Sequence, residues 1–487
     1  MIFNSYIFTL CFLPVTVLIY FILNRVQKYS LSKFWLIAIS LFFVGFGDRY
    51  AVTFLVSGAL ITWILGIPLR KCDHGSIVSK VFLGVGVGVQ IAILGYFKYA
   101  YFLVQNVNRY LHASFSLREI LLPAGISFIT FQQIAFLVDL YRGKISRVSL
   151  VDYLFYISYF PKLVQGPITK YEDLVPQMND PENRKANMDN LAYGLWLFST
   201  GLARKVLLAD VLSKAVSWGY ELPVANLTAM EALVVSLCFT FQIYFDFSGY
   251  SHMALGISKM LNLALPDNFD SPYQAVSVIE FWKRWHISLT SFLREYLYFP
   301  LGGSRKGTVR TYLNTMIVFL VSGLWHGAAW NYVFWGGLHG IGQCLNKAFE
   351  RQWEKLHVVI RWFVTFSFVN MAWIFFRAES VSHAWEMIQK IIKMEDLTIG
   401  GSLLACFELS EVTFLKDRFP VIGEFLGQYP VFGLIVFLLI VFLLCFHVRD
   451  KVTTFRPGIA KCILTILLFS WSVVSFSTVV EFIYGGF

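Results

Sequence analysis

The feature that most constrains this chain is a series of long apolar runs almost without charge. Residues 7–23, 51–68, 81–104, 431–446 and 462–479 are each nearly free of Asp, Glu, Lys and Arg. A helix rises about 1.5 Å per residue, so such runs span or nearly span a hydrocarbon core roughly 30 Å thick. The composition agrees, with 57% hydrophobic and only 14% charged residues, where a soluble domain carries roughly 25% charged. A soluble core could not absorb that much apolar surface. The expected fold is all-α and polytopic, on the order of a dozen membrane-embedded helices, several of them broken or re-entrant.

The formal net charge is +10 over 487 residues, but its placement points to membrane topology and not to nucleic acid. Basic residues gather in short loops: Arg25, Lys28 and Lys33; Arg70, Lys71 and Lys80; Arg142, Lys144 and Arg147; Arg449, Lys451, Arg456 and Lys461. Setting those loops in the cytoplasm follows the positive-inside rule and leaves both termini outside. The stretch 379–430 then falls outside, and it carries more acids than bases. The first apolar run lacks the basic start and small-residue cleavage site of a signal peptide, so it reads as a retained helix. Seven cysteines are scattered without CxxC spacing, which gives no metal site and no disulfide framework. No internal repeat or long linker divides the chain, so residues 1–487 are expected to form one membrane domain. Residues 170–190, with Pro176 and Pro181, read as a cytoplasmic or interfacial loop.

Two segments depart from simple membrane spans. Ser277 followed by Glu280 has the spacing of a capping box, which starts a helix near Val278. At about 100° per residue, Phe281, Trp282, Trp285, Leu289, Phe292, Leu293 and Tyr296 share one face of that helix. Lys283, Thr290 and Arg294 line its flank, with His286 between flank and stripe. Such a helix is expected at an interface or along a polar cavity. From Thr311 to Asn346 there is no Asp, Glu, Lys or Arg. Its glycine-rich centre predicts two closely packed helices, or one helix broken near Gly327.

An ionisable group inside a span is costly and therefore a functional candidate. His326 is the sharpest case, since an imidazole is cheaper to bury than a carboxylate and suits a general base acting on a hydroxyl. Taken alone it is as readily a histidine hydrogen-bonded between helices. His286 could polarise a carbonyl, although an interfacial packing role fits it better on these residues alone. His339 sits among glycines and reads as packed. Asp246, in an apolar-aromatic stretch with Ser248, reads first as structural support, paired with a base or a histidine. Arg204 and Lys205 read as the start of a helix after a glycine and could face an acyl donor's phosphates, or snorkel to the headgroups. No nucleophile elbow, phosphate loop or zinc-protease motif occurs.

At these residues the sequence resembles the membrane-bound O-acyltransferase family, in its bacterial alginate and peptidoglycan O-acetyltransferase branch. The matching stretches are Leu94-Gly-Tyr-Phe-Lys-Tyr-Ala100, Leu122-Pro-Ala-Gly-Ile-Ser-Phe128, Tyr159-Phe-Pro-Lys-Leu-Val-Gln-Gly-Pro167 and Tyr244-Phe-Asp-Phe-Ser-Gly-Tyr250. They continue with Glu280-Phe-Trp-Lys-Arg-Trp-His-Ile-Ser-Leu289, Leu301-Gly-Gly303, Gly323-Leu-Trp-His-Gly327 and Trp373-Ile-Phe-Phe-Arg-Ala378. They cover a core from about residue 90 to 380.

The resemblance implies that His326 is the catalytic histidine and His286 the second active-site position, where relatives carry asparagine or histidine. It also implies a tunnel through the membrane, along which a cytosolic acyl thioester and an extracytoplasmic acceptor meet. Trp325, Asp246, Ser248, Trp282, Lys283, Arg284, Trp285 and Asn331 are the expected supporting residues, with no metal. The expected donor is acetyl-CoA, used as substrate and not held as a cofactor. The expected acceptor is a polysaccharide or cell-wall glycan, reached through an extracytoplasmic SGNH-hydrolase-like acyltransferase at the bacterial cytoplasmic (inner) membrane. The rival readings are D-alanyl transfer to teichoic acid, a glycan or lipid-precursor transporter, and a non-catalytic scaffold.

Overall fold

The computed structural model describes residues 1–73, 75–118, 120–408, 413–414, 417–446, 455–476 and 482–483. Arg449 and Lys451, Glu411 and the end of the 462–479 run lie outside them. Among the described residues the chain is helical, and its one isolated β-bridge pairs Phe269 with Trp285. Five helices are long and apolar enough to cross a membrane: Ile7–Arg25, Arg49–Lys71, Ile77–Leu111, Ala229–Met260 and Val358–Arg377. Four shorter apolar helices join them: Tyr29–Gly45, Ile126–Tyr141, Pro430–Cys445 and Ile459–Val474.

The Ala229–Met260 helix is the centre of the assembly, because 89% of its apolar window is buried by protein, against 22–39% for the other four long spans. Thr228 starts it with a reciprocal capping box to Glu231, which satisfies two amides that would otherwise lack partners. Its chief neighbour is Met188–Ala203, and the two meet at glycines seven residues apart on each helix. A Cβ at Gly201 would stand 2.6 Å from the Gly249 carbonyl oxygen. Between helices in lipid, where apolar burial gives little drive to associate, such backbone approach supplies the packing energy.

Both ends of this helix report on topology. At one end, Asn262 donates to the carbonyls of Asn183 and Lys185. At the other, Thr228 donates to Thr398 O, and Glu231 accepts from the Gly400 amide. The 170–190 loop and the 379–430 stretch therefore lie at opposite ends of a helix of 32 residues, about 48 Å long at 1.5 Å per residue. The basic loops gather at the first end. Lys33 pairs with Asp152 at 2.5 Å and donates to Asn179, and Arg184 lies over the Tyr29 ring. Lys144 and Lys170 both pair with Glu295. The charge asymmetry read from the sequence is thus a physical separation in the fold.

Candidate active site

Two structural accidents of sequence bring His286 and His326 together. His326 is the last residue of the Thr308–His326 helix, and Gly327 leaves it in extended backbone before Trp330–Ala348 begins. The charge-free stretch is therefore two helices broken at Gly327, one of the two expected arrangements. The pair is pressed together on glycine: a Cβ at Gly323 would lie 2.3 Å from Tyr332 O, and one at Gly336 would lie 2.3 Å from Phe319 O.

His286 corrects the expectation of one amphipathic helix over 278–296. The chain forms two short helices, Val278–Arg284 and Ile287–Leu293, separated at Trp285 and His286. His286 takes the left-handed conformation at φ 44° and ψ 53°, which costs a residue with a Cβ roughly 1–2 kcal/mol. The break is held from outside the segment. Asp270 N donates to Arg284 O, Ile287 N donates to Asn268 O, and Ser288 Oγ donates to Asn268 Oδ1 at 2.6 Å. The imidazole consequently points inward and is fully buried, not set on a helix edge. The expected box is half formed. Ser277 Oγ accepts from Glu280 N, but the Glu280 carboxylate reaches back to Val276 N.

The two imidazole centroids lie 6.5 Å apart, and both rings are buried. Around His326 stand Trp325, Trp335 and Phe376 at 4.9, 5.1 and 5.2 Å. Phe247 of the central helix meets His286 edge-on at 4.7 Å. Both ring nitrogens of His286 lack a hydrogen-bond partner among the described residues. A buried polar group left in that state costs on the order of 1–3 kcal/mol, so a stability role explains His286 poorly.

One helical turn before His326 lies a cleft of about 240 Å³, which Ser322 lines and neither histidine does. Lys283, Arg294 and Lys347 stand exposed at its rim, and no Asp or Glu is among its lining residues. Its walls include Trp282, Phe319 and the buried Ser322, whose hydroxyl has no partner among the described residues. Ser322 and His326 are four residues apart on one helix, hence on the same face and about 6 Å apart along the axis.

The other expected residues divide. Trp325 packs on Phe131 and contacts both histidines. Trp282 donates to His339 Nδ1 at 3.1 Å, which makes His339 a packed histidine, as read. Lys283 is at the cleft, whereas Arg284 is tied to Glu280 and Asp270 O. Trp285 stacks with Phe281 and packs on Trp373. Asn331 donates to Ala378 O and anchors the start of its helix. Asp246 pairs with Lys205 at 2.7 Å and accepts from Ile483 N, while Ser248 accepts from Arg204. The structure thus sets Asp246 and Ser248 in a support cluster and not beside the histidines. It also corrects the reading of Lys205 as a phosphate contact. Arg204 and Lys205 do not begin a helix but sit in a π-helical join, with Lys205 buried between Asp246 and Asp210.

Sequence reasoning missed Lys98. Its ammonium donates to Trp325 O at 2.6 Å and to Ser127 Oγ at 3.0 Å, directly behind His326. A lysine within the 81–104 run was the available signal, since charge in a span is expensive.

Residues 84–383 match the profile of "MBOAT, membrane-bound O-acyltransferase family". The chain is 36% identical over 429 residues to the "Peptidoglycan O-acetyltransferase" of Helicobacter pylori, covering 82% of this chain and 81% of that one. It is 36% identical over 395 residues to the "Probable alginate O-acetylase AlgI" of Pseudomonas aeruginosa, covering 80% and 74%. Likeness to the "Teichoic acid D-alanyltransferase" of Streptococcus thermophilus is weaker, at 27% over 243 residues, 48% of this chain and 59% of that one. Helices, buried histidine pair and relatives converge: this chain belongs to the membrane-bound O-acyltransferase family and is a multi-pass membrane enzyme of acyl transfer.

Proposed function

We propose that the protein moves an acetyl group from acetyl-CoA in the cytosol to hydroxyls of an extracytoplasmic polysaccharide or cell-wall glycan, at the bacterial cytoplasmic membrane. The observation that carries this reading is the pair of buried imidazoles 6.5 Å apart, next to a cleft rimmed by three bases. The charge pattern supports a cytoplasmic rim: Glu295, adjacent to Arg294, pairs with Lys144 of a basic loop and with Lys170 at the start of the 170–190 loop. Lys283, Arg294 and Lys347 supply positive charge for the donor's phosphates, and the apolar walls take the pantetheine arm toward Ser322.

In the reaction the acceptor oxygen attacks the thioester carbonyl carbon. His326 takes the hydroxyl proton as the new C–O bond forms, and gives it to the sulfur as the C–S bond breaks. His286 donates from one ring nitrogen to the carbonyl oxygen as negative charge develops there, in a site shielded from water. Where the acceptor hydroxyl belongs to an extracytoplasmic SGNH-hydrolase-like acyltransferase, a glycan hydroxyl would then attack the ester formed on it, the new C–O bond replacing the relay C–O bond and the glycan's proton passing to the released relay hydroxyl.

The test replaces His326 by alanine at unchanged membrane abundance and follows labelled acetyl from acetyl-CoA. Transfer should fall by about 10²–10⁴-fold, and normal transfer would overturn the assignment. The likeness to teichoic acid D-alanyltransferases favours a second reading, with a D-alanyl carrier-protein thioester as donor. Offering both donors to the same preparation separates the two, and turnover of acetyl-CoA alone supports the first.

A further inference from the structure

The helix that ends on His326 ends inside the protein, where its last carbonyls have no intrahelical donors. Gly327 N reaches Gly323 O at 3.3 Å. The following carbonyls are met by a different helix. Tyr99 Oη donates to Leu324 O at 2.6 Å, and Lys98 Nζ donates to Trp325 O at 2.6 Å and more weakly to His326 O at 3.5 Å. The same ammonium donates to Ser127 Oγ at 3.0 Å, and Trp325 Nε1 donates weakly to Ser127 O at 3.4 Å. Three elements are thereby fastened at the turn that carries the imidazole.

Lys98 and Tyr99 can act together because they lie in a π-helical turn, Gly95–Tyr99. The wider turn reduces the angular step between neighbours, so two consecutive side chains reach one target. Such turns recur at functional sites. An ammonium is also the matching charge for the negative end of a helix dipole. A few residues beyond the break, Trp330 Nε1 donates to Asn106 Oδ1 at 2.9 Å, which ties the next helix to the same span. Lys98 is part-buried within an otherwise apolar span, where an ammonium is costly to hold, and a packing role alone would be met by an apolar residue.

We propose that Lys98, assisted by Tyr99, is a positioning residue that caps the His326 helix from the neighbouring span and fixes the imidazole for proton transfer. This rests on His326 being the general base. A displacement of about 1 Å at a reacting group costs on the order of 10²-fold in rate. The experiment compares Lys98→Met, Lys98→Arg, Tyr99→Phe and His326→Ala in purified full-length protein, with acetyl-CoA as donor. Rates are normalised to folded protein and taken well below the melting temperature of each variant. Lys98→Met should lower kcat by about 10²-fold and leave KM for acetyl-CoA within about twofold. Lys98→Arg, which keeps charged donors, should recover most of that loss. Tyr99→Phe, which removes one donor and leaves Lys98 in place, should lower kcat by about three- to tenfold, and it carries the test if Lys98→Met does not accumulate. Wild-type kcat in Lys98→Met and Tyr99→Phe beside an inactive His326→Ala would overturn the cap and leave the base assignment standing. An equal loss in Lys98→Met and Lys98→Arg would also overturn it. Full activity in His326→Ala would overturn the base assignment, and the cap proposal with it.

Discussion

Adjacent residues of the central helix serve two buried polar clusters that differ in one respect. Asp246 belongs to a charge cluster with Lys205 and Asp210, in which cation and carboxylates meet at 2.7 and 2.9 Å. Phe247, the next residue, packs on His286, whose ring nitrogens meet no hydrogen-bond partner among the described residues. The first cluster has its electrostatics closed within the protein, as a structural element in lipid must. The second keeps polar atoms available at the expense of stability, which is how a site built for substrate differs from one built for folding. Burial alone therefore does not mark function. Asp246 and His286 are equally hidden from solvent, but the protein supplies ion-pair partners to the first and, among the described residues, no hydrogen-bond partner to the second.

That contrast can be broken experimentally. Replacing Lys205 by methionine strands buried carboxylates, and stability should drop by about 3–5 kcal/mol. Thermal unfolding in detergent reads this loss, while turnover per folded molecule should stay near wild type; a selective loss of kcat with unchanged melting would erase the distinction. Replacing His286 by alanine should do the converse. We expect kcat to fall by about 10²-fold, with a smaller loss of stability than Lys205→Met, and steady-state kinetics beside melting curves would show it. The smallest effect concerns a third cluster, around Glu295 among the basic loops. Partial burial pushes the Glu295 carboxyl up, but hydrogen bonds from Lys144 and Lys170 hold it below the ordinary glutamate value. A depressed carboxyl contributes stability above the ordinary glutamate range and loses it as the pH falls through the folded value. Glu295→Gln should therefore cost no more than about 1 kcal/mol near neutrality, and the difference from wild type should fade in acid.

The membrane architecture was legible because its signals are local and redundant: apolar run length, basic loops and the break at Gly327 are each written in contiguous residues. Non-local features were not. Periodicity assigns Phe281 to Tyr296 to one helix, and nothing within that segment announces that Asn268 and Asp270 will interrupt it at His286. Lys205 read as a surface base because its partner Asp246 is 41 residues away. Lys98 escaped notice for the same reason, since its carbonyl acceptors at Trp325 and His326 lie more than 200 residues further along the chain. The candidate histidines themselves were visible as imidazoles in apolar surroundings, but their approach to within 6.5 Å of each other is a property of the fold.

The left-handed backbone at His286 has a further consequence for how this site can vary. With φ at 44°, the position is filtered by conformation before chemistry is consulted: glycine, asparagine, aspartate and histidine enter that region far more readily than other residues, and β-branched side chains are nearly barred. Of that short set, asparagine and histidine are the ones that would offer a neutral donor if position 286 serves the oxyanion role proposed above, in keeping with the pair of residues that the family resemblance implies there. The main chain therefore narrows the repertoire available to evolution or to an engineer at position 286 to a short set of residues before any demand of chemistry is applied.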